Sequence, residues 1–456
     1  MNTLHSKSAQ KFLNNQDFAT WFDNTLWTIR EKRDAAAKSV PEWEELREAA
    51  YNLKMYSNSH LEDLLQLFEI NARSNGVQVF WAKDADDYCR IVYNILKQHN
   101  VKCLLKSKSM LADECDLTHH LESTGIEVVE NDIGERILQK MNEQPSHMLL
   151  TSMHIKREDV ARLYARELGT EVGSFDPSTL IHEGRMALRE KYLQAKAVLT
   201  GVNFAVADTG EVVVCTNEGN ADMGTSQARL QISSFGIEKI VPDLESLGVF
   251  MRLLGRSAVG QPIPAFTTHY RKPAAGGEMY FIITDNGRSK ILADKKHVKT
   301  LNCIRCGACL NTCPVYRRSG GASYSYFIPG PIGITLGMLK APLHYYGNVS
   351  ACSLCYSCNN VCPVKVDLAQ QIYSWRQEVA KLGKTDQYKK VVTYTMSYIL
   401  KRPTLLNKAI KWGYRLNSFP EILIYNPLNK WGRKRDFPKF AKMSFNKMWD
   451  NDMVKL

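Results

Sequence analysis

The sequence predicts an α/β domain, then a small α-helical module built around cysteines, then a short helical C-terminal domain. Three observations carry this. Short β-rich runs alternate with helical segments from about residue 77 to residue 284. Eight of the twelve cysteines fall into two blocks of identical spacing, between Cys303 and Cys362. After the second block the apolar residues recur at helical intervals, with no strand alternation.

The 456 residues are enough for several cores, since domains usually run to about 100–200 residues. The expected division is a helical N-terminal segment (1–65), an α/β domain (66–296), the cysteine module (297–375) and a basic helical C-terminal domain (376–456). An apolar fraction of 44% and a charged fraction of 23% are those of a soluble globular protein and exclude a disordered or membrane-spanning chain. The start, Met1 to Lys7, has no apolar core of a secretory signal, which predicts a cytoplasmic protein. No run approaches the roughly 18 apolar residues of a membrane helix, so membrane contact is at most peripheral. A net charge of +12 would steer nucleic acid, anionic lipid or an acidic protein alike. Its densest segment, Lys430 to Lys447 with Arg433, Lys434, Arg435, Lys439 and Lys442, reads first as a solvated helical face and tail.

Along the chain, Ile29–Lys38 and Glu42–Ala50 are rich in good helix formers, and Leu61–Ala72 is amphipathic. The strand candidates are Val77–Trp81, Val101–Leu105, Glu127–Glu130, His147–Thr151, Ala197–Thr200, Val212–Cys215, Lys239–Val241 and Glu278–Thr284. Helical signals at Ala85–His99 and Leu163–Leu168 lie between them, which argues a mainly parallel sheet. Such sheets bind ligands at the carboxyl ends of their strands.

Lys106 and Lys108 would stand at one such end, where an anion could bind. Asn203 and Asp208, and then Glu218 and Asn220, flank another strand. These six are candidate ligand-binding residues, beside the plainer reading of turns and a solvated basic edge. Neither segment is a P-loop or a G-x-G-x-x-G fingerprint. His147 and His154, across the end of one expected strand, read as satisfied histidines rather than a metal pair. No Ser-His-Asp or H-E-x-x-H arrangement is present, and catalytic residues are unknown.

The cysteine blocks are Cys303-Ile304-Arg305-Cys306-Gly307-Ala308-Cys309-Leu310-Asn311-Thr312-Cys313-Pro314 and Cys352-Ser353-Leu354-Cys355-Tyr356-Ser357-Cys358-Asn359-Asn360-Val361-Cys362-Pro363. Three cysteines at intervals of three wrap a loop around a four-iron cluster. In two-cluster ferredoxins the cysteine before proline serves the other cluster. The spacing therefore assigns Cys303, Cys306, Cys309 and Cys362 to one [4Fe-4S] cluster, and Cys352, Cys355, Cys358 and Cys313 to a second. Structural zinc usually has wider gaps between ligand pairs, and disulfides are unexpected in a reducing cytoplasm. Cys89, Cys103, Cys115 and Cys215 read as buried small hydrophobes. The linker Val315–Ala351, with Gly320-Gly321 and Pro329-Gly330-Pro331, is longer than a compact bacterial ferredoxin uses. Val366–Arg376 reads as a helix with Asp367 as its cap. An α-helical ferredoxin fits, and it resembles the iron-sulfur subunits of succinate dehydrogenase and of anaerobic glycerol-phosphate oxidation.

One family is resembled over nearly the whole chain: the iron-sulfur B subunit of three-protein L-lactate utilization systems. The resemblance is carried by Lys106–Met110, Glu130–Glu135, Pro145–His147, Asn203–Gly210, Asn217–Asn220, Gly236–Pro242, Asp285–Ser289 and both cysteine runs. Trp431–Pro438 also resembles that family's C-terminal domain. The chain departs from the family at Ala322–Tyr326, where a histidine and a tyrosine-glycine pair are usual, and at Ala228–Ile232, which lacks a histidine.

The resemblance implies a lactate-utilization domain similar to the sugar-phosphate isomerase and CoA-transferase superfamily. It also implies two companions, a cysteine-rich-repeat protein and a smaller lactate-utilization-domain protein, and a share in oxidising L-lactate to pyruvate. The expected role is electron transfer through the two clusters to a partner or a quinone pool. The rivals are a self-contained oxidoreductase with substrate in the α/β domain, and a carrier for another 2-hydroxy acid or quinone-linked oxidoreductase. A DNA-binding cluster sensor is a third, for which no helix-turn-helix is found, so no nucleic-acid partner is expected. No flavin or nicotinamide fingerprint is present, so the hydride acceptor that such an oxidation needs is expected on another chain.

Overall fold

The computed structural model describes residues 4–171, 175–385, 387–420, 439–443, 445–451 and 453. The chain divides into two compact units, Met1–Lys381 and Leu382–Leu456.

Among the described residues the first unit forms ten strands: β1 (Gln78–Ala82), β2 (Cys103–Ser107), β3 (Glu127–Glu130), β4 (Ala197–Gly201), β5 (Phe204–Val206), β6 (Glu211–Thr216), β7 (Leu230–Gly236), β8 (Ile240–Val241), β9 (Phe266–Tyr270) and β10 (Glu278–Thr284). Six make one parallel sheet in the order β1-β10-β7-β4-β2-β3. Alternate residues of β10 feed opposite cores. Tyr280 and Ile282 pack with Tyr88, Val92 and Leu96 of helix Ala85–Gln98. Phe281 and Ile283 pack with Leu64 and Phe68 of helix Leu61–Ser74. Period-2 alternation in a strand buried on both faces gives this division.

The remaining four strands form a second sheet, β8-β5-β6-β9. Its tight turn after β5 lies against helix Leu61–Ser74, where Asn71 Nδ2 donates to the carbonyls of Ala207 and Asp208, both at 2.9 Å. Gly210 sits here with φ +66°, and a Cβ on it would lie 2.2 Å from the amide nitrogen of Ala72. Only glycine permits that approach.

His147–Thr151, expected as a strand, is irregular. The His147 Nδ1 accepts the amides of Leu149 and Leu150, each at 3.1 Å, and Ser146 N donates to Thr151 O at 3.0 Å. Local bonds take donors that a sheet ladder would need. Lys239–Val241 is likewise split, a 3₁₀ turn over Ile237–Lys239 running into the two-residue β8. Strands β5, β7 and β9 were not anticipated as strands.

The N-terminal helices Gln16–Lys38 and Trp43–Ser59 share one core with the cysteine module. Phe22, Leu26, Trp43 and Leu46 pack in the same cluster as Cys306, Leu310, Tyr316 and Val361. A long helix, Leu244–Val259, adds Phe250 and Leu253 to it.

In the second unit, helices Gln387–Leu400, Pro403–Arg415 and Phe445–Asp450 are described. Residues 382–456 hold sixteen Lys and Arg against five Asp and Glu, so most of the chain's net charge of +12 lies here. The family-like segment Trp431–Pro438, and most of the basic stretch from Lys430 to Lys447, fall outside the described residues. Among the described residues no helix is long and apolar enough to cross a membrane.

Candidate functional site

The two cysteine runs fold alike. Arg305 and Gly307 flank Cys306 with φ of +60° and +74°, and Leu354 and Tyr356 flank Cys355 with +54° and +61°. Each loop then enters a short helix, Ala308–Thr312 or Ser357–Val361, whose last residue precedes the fourth cysteine. Three non-glycine residues held in the left-handed region show that the surroundings impose the loop shape. The two short helices meet, with Thr312 and Ser357 joined through their hydroxyls.

All eight thiols are free, and Cys306, Cys313, Cys358 and Cys362 are buried. Burial is the main cause raising each of their pKa values, and the thiols add to it. The next cause after burial for Cys306 is Cys362. Cys313 is pushed up to about 11 by burial, with smaller contributions from Cys352 and Cys355. Cys358 is raised by burial and then by Cys313, Cys352 and Cys355. So the cysteine before each proline lies close to the thiols of the opposite run. Among the described residues no three His, Cys, Asp or Glu converge tightly enough to hold a single metal ion. A four-iron cluster asks for something else, four thiolates spread over separate irons.

Backbone amides are already aimed at three of these sulfurs. Tyr316 N donates to Cys313 Sγ at 3.5 Å, Leu354 N to Cys352 Sγ at 3.3 Å and Val366 N to Cys362 Sγ at 3.4 Å. Such bonds favour thiolate over thiol. Two buried arginines grip the end of the second run: Arg47 Nε donates to Cys362 O at 2.9 Å, and its Nη2 to Asn359 O at 3.1 Å. Arg33 Nη2 reaches Val361 O at 3.1 Å. Buried, mutually opposing thiols with amide donors and cations around them suit an iron-sulfur cluster, whose irons displace the protons.

Asp367 stands at the start of helix Leu368–Lys381, but it does not cap it with its side chain. Asn359 Oδ1 accepts from Ala369 N at 2.9 Å, and Asn359 Nδ2 donates to Asp367 Oδ1 at 2.6 Å. The cap is thus supplied from within the second cysteine run.

A cavity of about 230 Å³ opens at the carboxyl ends of β2, β4 and β7 and reaches the first cysteine run at Arg305. Lys108, Asn203, Glu218 and Asn220 line it, as expected of ligand-site candidates. Lys106 does not. Its ammonium is buried between Asp113 at 2.8 Å and Glu130 at 2.7 Å, a pairing invisible from the strand pattern. Asp208 is also elsewhere, exposed on the turn against helix Leu61–Ser74. Asn203 is partly engaged, its Oδ1 accepting from Cys215 N at 2.9 Å, and Asn220 Nδ2 donates to Asn131 Oδ1 at 3.1 Å.

The sequence reading missed the charged inner end of this cavity, formed by Glu238, Lys239, Arg288 and Arg305. Arg288 bonds Glu238 at 2.5 Å and Glu114 at 2.8 Å. Burial opposes ionisation of Glu238, but Arg288, and after it Lys239 and Arg305, hold its carboxyl down at about 2. Burial lowers the Lys239 ammonium to about 8 despite Glu238. The available signal was the turn chemistry of Gly236–Lys239 and Asp285–Arg288, both directly after strands.

His147 is buried and neutral. Burial takes its pKa to about 4, and its ring bridges to Asn311 of the first run. His154 faces Glu143 at 3.3 Å.

Comparison with known proteins matches residues 65–292 to the LUD domain and residues 299–366 to the 4Fe-4S dicluster domain. The chain is 34% identical over 434 residues to the uncharacterized electron transport protein YkgF of Escherichia coli, covering 92% of this chain and 91% of that one. It is 35% identical to lactate utilization protein B of Bacillus licheniformis, covering 94% and 92%. It is 36% identical to lactate utilization protein B of Bacillus cytotoxicus, covering 92% and 90%.

Proposed function

The chain belongs to the lactate utilization protein B family, and from that premise we propose that it is the electron-transfer iron-sulfur subunit of a multi-protein system oxidising L-lactate to pyruvate. It carries two [4Fe-4S] clusters, which accept and release electrons singly. The observation that carries the proposal is the meeting of the two runs' free cysteines in one core, four of them buried and three partly buried, with Cys355 alone exposed at its edge. The ligand sets are Cys303, Cys306, Cys309 and Cys362 for one cluster, and Cys352, Cys355, Cys358 and Cys313 for the other. Their support is the proximity of Cys362 to Cys306 and of Cys313 to Cys352 and Cys355.

In this role the protein's own residues hold and tune. The amides of Tyr316, Leu354 and Val366 stabilise thiolate charge, while Arg33 and Arg47 fix the end of the second run and place positive charge beside it. The sequence carries no flavin or nicotinamide fingerprint, so we assign the hydride step of lactate oxidation to the companions, a cysteine-rich-repeat protein and a smaller protein with the LUD domain alone. We place the chain in the cytoplasm, where twelve free thiols stay reduced. We divide it at residues 65, 296 and 375, and read the α/β domain as similar to the sugar-phosphate isomerase and CoA-transferase superfamily. The six-stranded parallel sheet supports that likeness.

The test is anaerobic purification with iron and sulfide analysis, then low-temperature EPR of the reduced protein and of Cys313→Ser and Cys362→Ser. Two interacting cubane signals are expected, with each substitution disturbing the cluster of the opposite run. Zinc, or a single cluster, would overturn the proposal. Lactate oxidation by the chain alone would return it to the self-contained enzyme.

A further inference from the structure

The inner end of the α/β cavity holds cations that the fold leaves uncommitted. Nη1 of Arg305 is buried with no hydrogen-bond partner. Lys239, which also lines the cavity, has no acceptor among the described residues for its ammonium. The two are close enough to oppose each other's charge, and Lys239 also feels Cys303 of the first run. A guanidinium hydrogen buried without an acceptor is unfavourable, because it has lost water and gained nothing. Among the described residues no acceptor meets that hydrogen, whereas a bound anion would.

The neighbouring carboxylates are taken. Glu238 and Glu114 both bond Arg288. Asp132 lies 4.0 Å from Lys108, and Glu218 is exposed at the rim. Around the inner end, the cations Lys54, Lys239, Arg288 and Arg305 face Glu238, Glu114 and, once the cluster is loaded, the Cys303 thiolate, a balance of one positive charge. That suits a monoanion better than a phosphate dianion. Val202, Val214, Phe235, Leu254 and Ile328 give the same cavity an apolar wall.

We propose that this cavity binds a short-chain monocarboxylate, its carboxylate held by Arg305 and Lys239 and its alkyl end against the apolar wall. The site stands at the carboxyl ends of parallel strands, where such sheets take ligands. Arg305 lies between Cys303 and Cys306, so ligand occupancy and the first cysteine run are read by one side chain. The chain would thus sense substrate or product while carrying electrons.

Isothermal titration of the full, iron-loaded chain with L-lactate, pyruvate, acetate and inorganic phosphate tests this. The choice of lactate and pyruvate rests on the proposed function, and the acetate arm does not. Saturable binding of a monocarboxylate at one per chain is expected, with phosphate failing to compete. Lys239→Met and Arg305→Gln should each weaken it by about 10- to 100-fold, as loss of a charge-assisted bond does, with iron content unchanged in Lys239→Met. Should Lys239→Met fail to fold, protection of Lys239 from an amine-modifying reagent by the carboxylate is read in the unmutated chain by mass spectrometry. Failure of every carboxylate to bind, binding indifferent to Lys239, absence of protection, or tighter binding of phosphate would overturn the site without touching the electron-transfer reading. Binding of acetate but not of lactate or pyruvate would keep the site and count against lactate as the system's substrate.

Discussion

Nε2 of His147 donates to Oδ1 of Asn311 across 3.0 Å, joining an irregular loop of the α/β domain to helix Ala308–Thr312 of the first cysteine run. The direction follows from the other ring nitrogen: Nδ1 accepts two backbone amides, so the proton belongs on Nε2. The imidazole must stay neutral to make all three bonds.

That requirement sets a pH dependence. Burial depresses the folded pKa of His147 to about 4, below the unfolded value of 6.5. In that window the unfolded chain binds more protons, so stability is full above pH 6.5 and declines as pH falls toward 4, by up to about 3 kcal/mol. Denaturant unfolding of the unmutated chain and of His147→Gln between pH 7.5 and 5 should show a shallower slope in the variant. Equal slopes would mean that His147 does not contribute this decline.

Lys106 predicts the reverse hierarchy of damage. Its ammonium lies between Asp113 and Glu130, with Glu135 next to them, all but Asp113 buried. Lys106→Met should therefore destabilise by about 3–5 kcal/mol, because it strands buried carboxylates. Burial is the main cause raising the pKa of both Glu130 and Glu135. A carboxyl raised in the folded state costs stability as pH climbs through the folded value, so Glu135→Gln should flatten the decline above pH 5 and be tolerated at pH 7. Thermal unfolding across pH 5–8 separates the two variants.

What could be read in advance followed periodicity and spacing. Helix Ala85–Gln98 and strands β3 and β10 stand close to where alternation and amphipathicity placed them. Strand β7 escaped because Gln231, Ser233 and Ser234 make it look like a turn. In the sheet centre those hydroxyls are paired, Ser233 with Thr200 and Ser234 with Tyr88, each at 2.9 Å. The two cysteine runs were legible as a pattern, but their support was not. Arg47 and Arg33 lie more than three hundred residues before the carbonyls they grip, at sequence separations of 312 to 328. Lys106 failed as a ligand candidate for the same reason, since its partners come from other elements.

Asn359 predicts a local effect. It caps helix Leu368–Lys381 through Ala369 N, while Asp367 holds its amide. Asn359→Ala should cost about 1 kcal/mol, and Asp367→Asn much less, because the capping oxygen remains. Hydrogen exchange at the first turn of this helix should accelerate only in the Asn359 variant.

The arginines at the second run bear on the redox chemistry. Arg47 donates to the carbonyl of Cys362 itself, and Arg33 to that of Val361, and each is more than nine-tenths shielded from solvent. A cation held in such a place favours the more negative, reduced state of a nearby cluster, since the attraction is poorly screened. Arg47→Met should therefore shift the potential of the cluster we assign to Cys303, Cys306, Cys309 and Cys362 in the negative direction, by on the order of tens of millivolts. The other cluster, to which we assign Cys313, should move less. Potentiometric titration followed by EPR resolves the two. An equal shift in both would mean that the charge of Arg47 is felt through the whole module, and no shift would reduce Arg47 to a purely structural clamp.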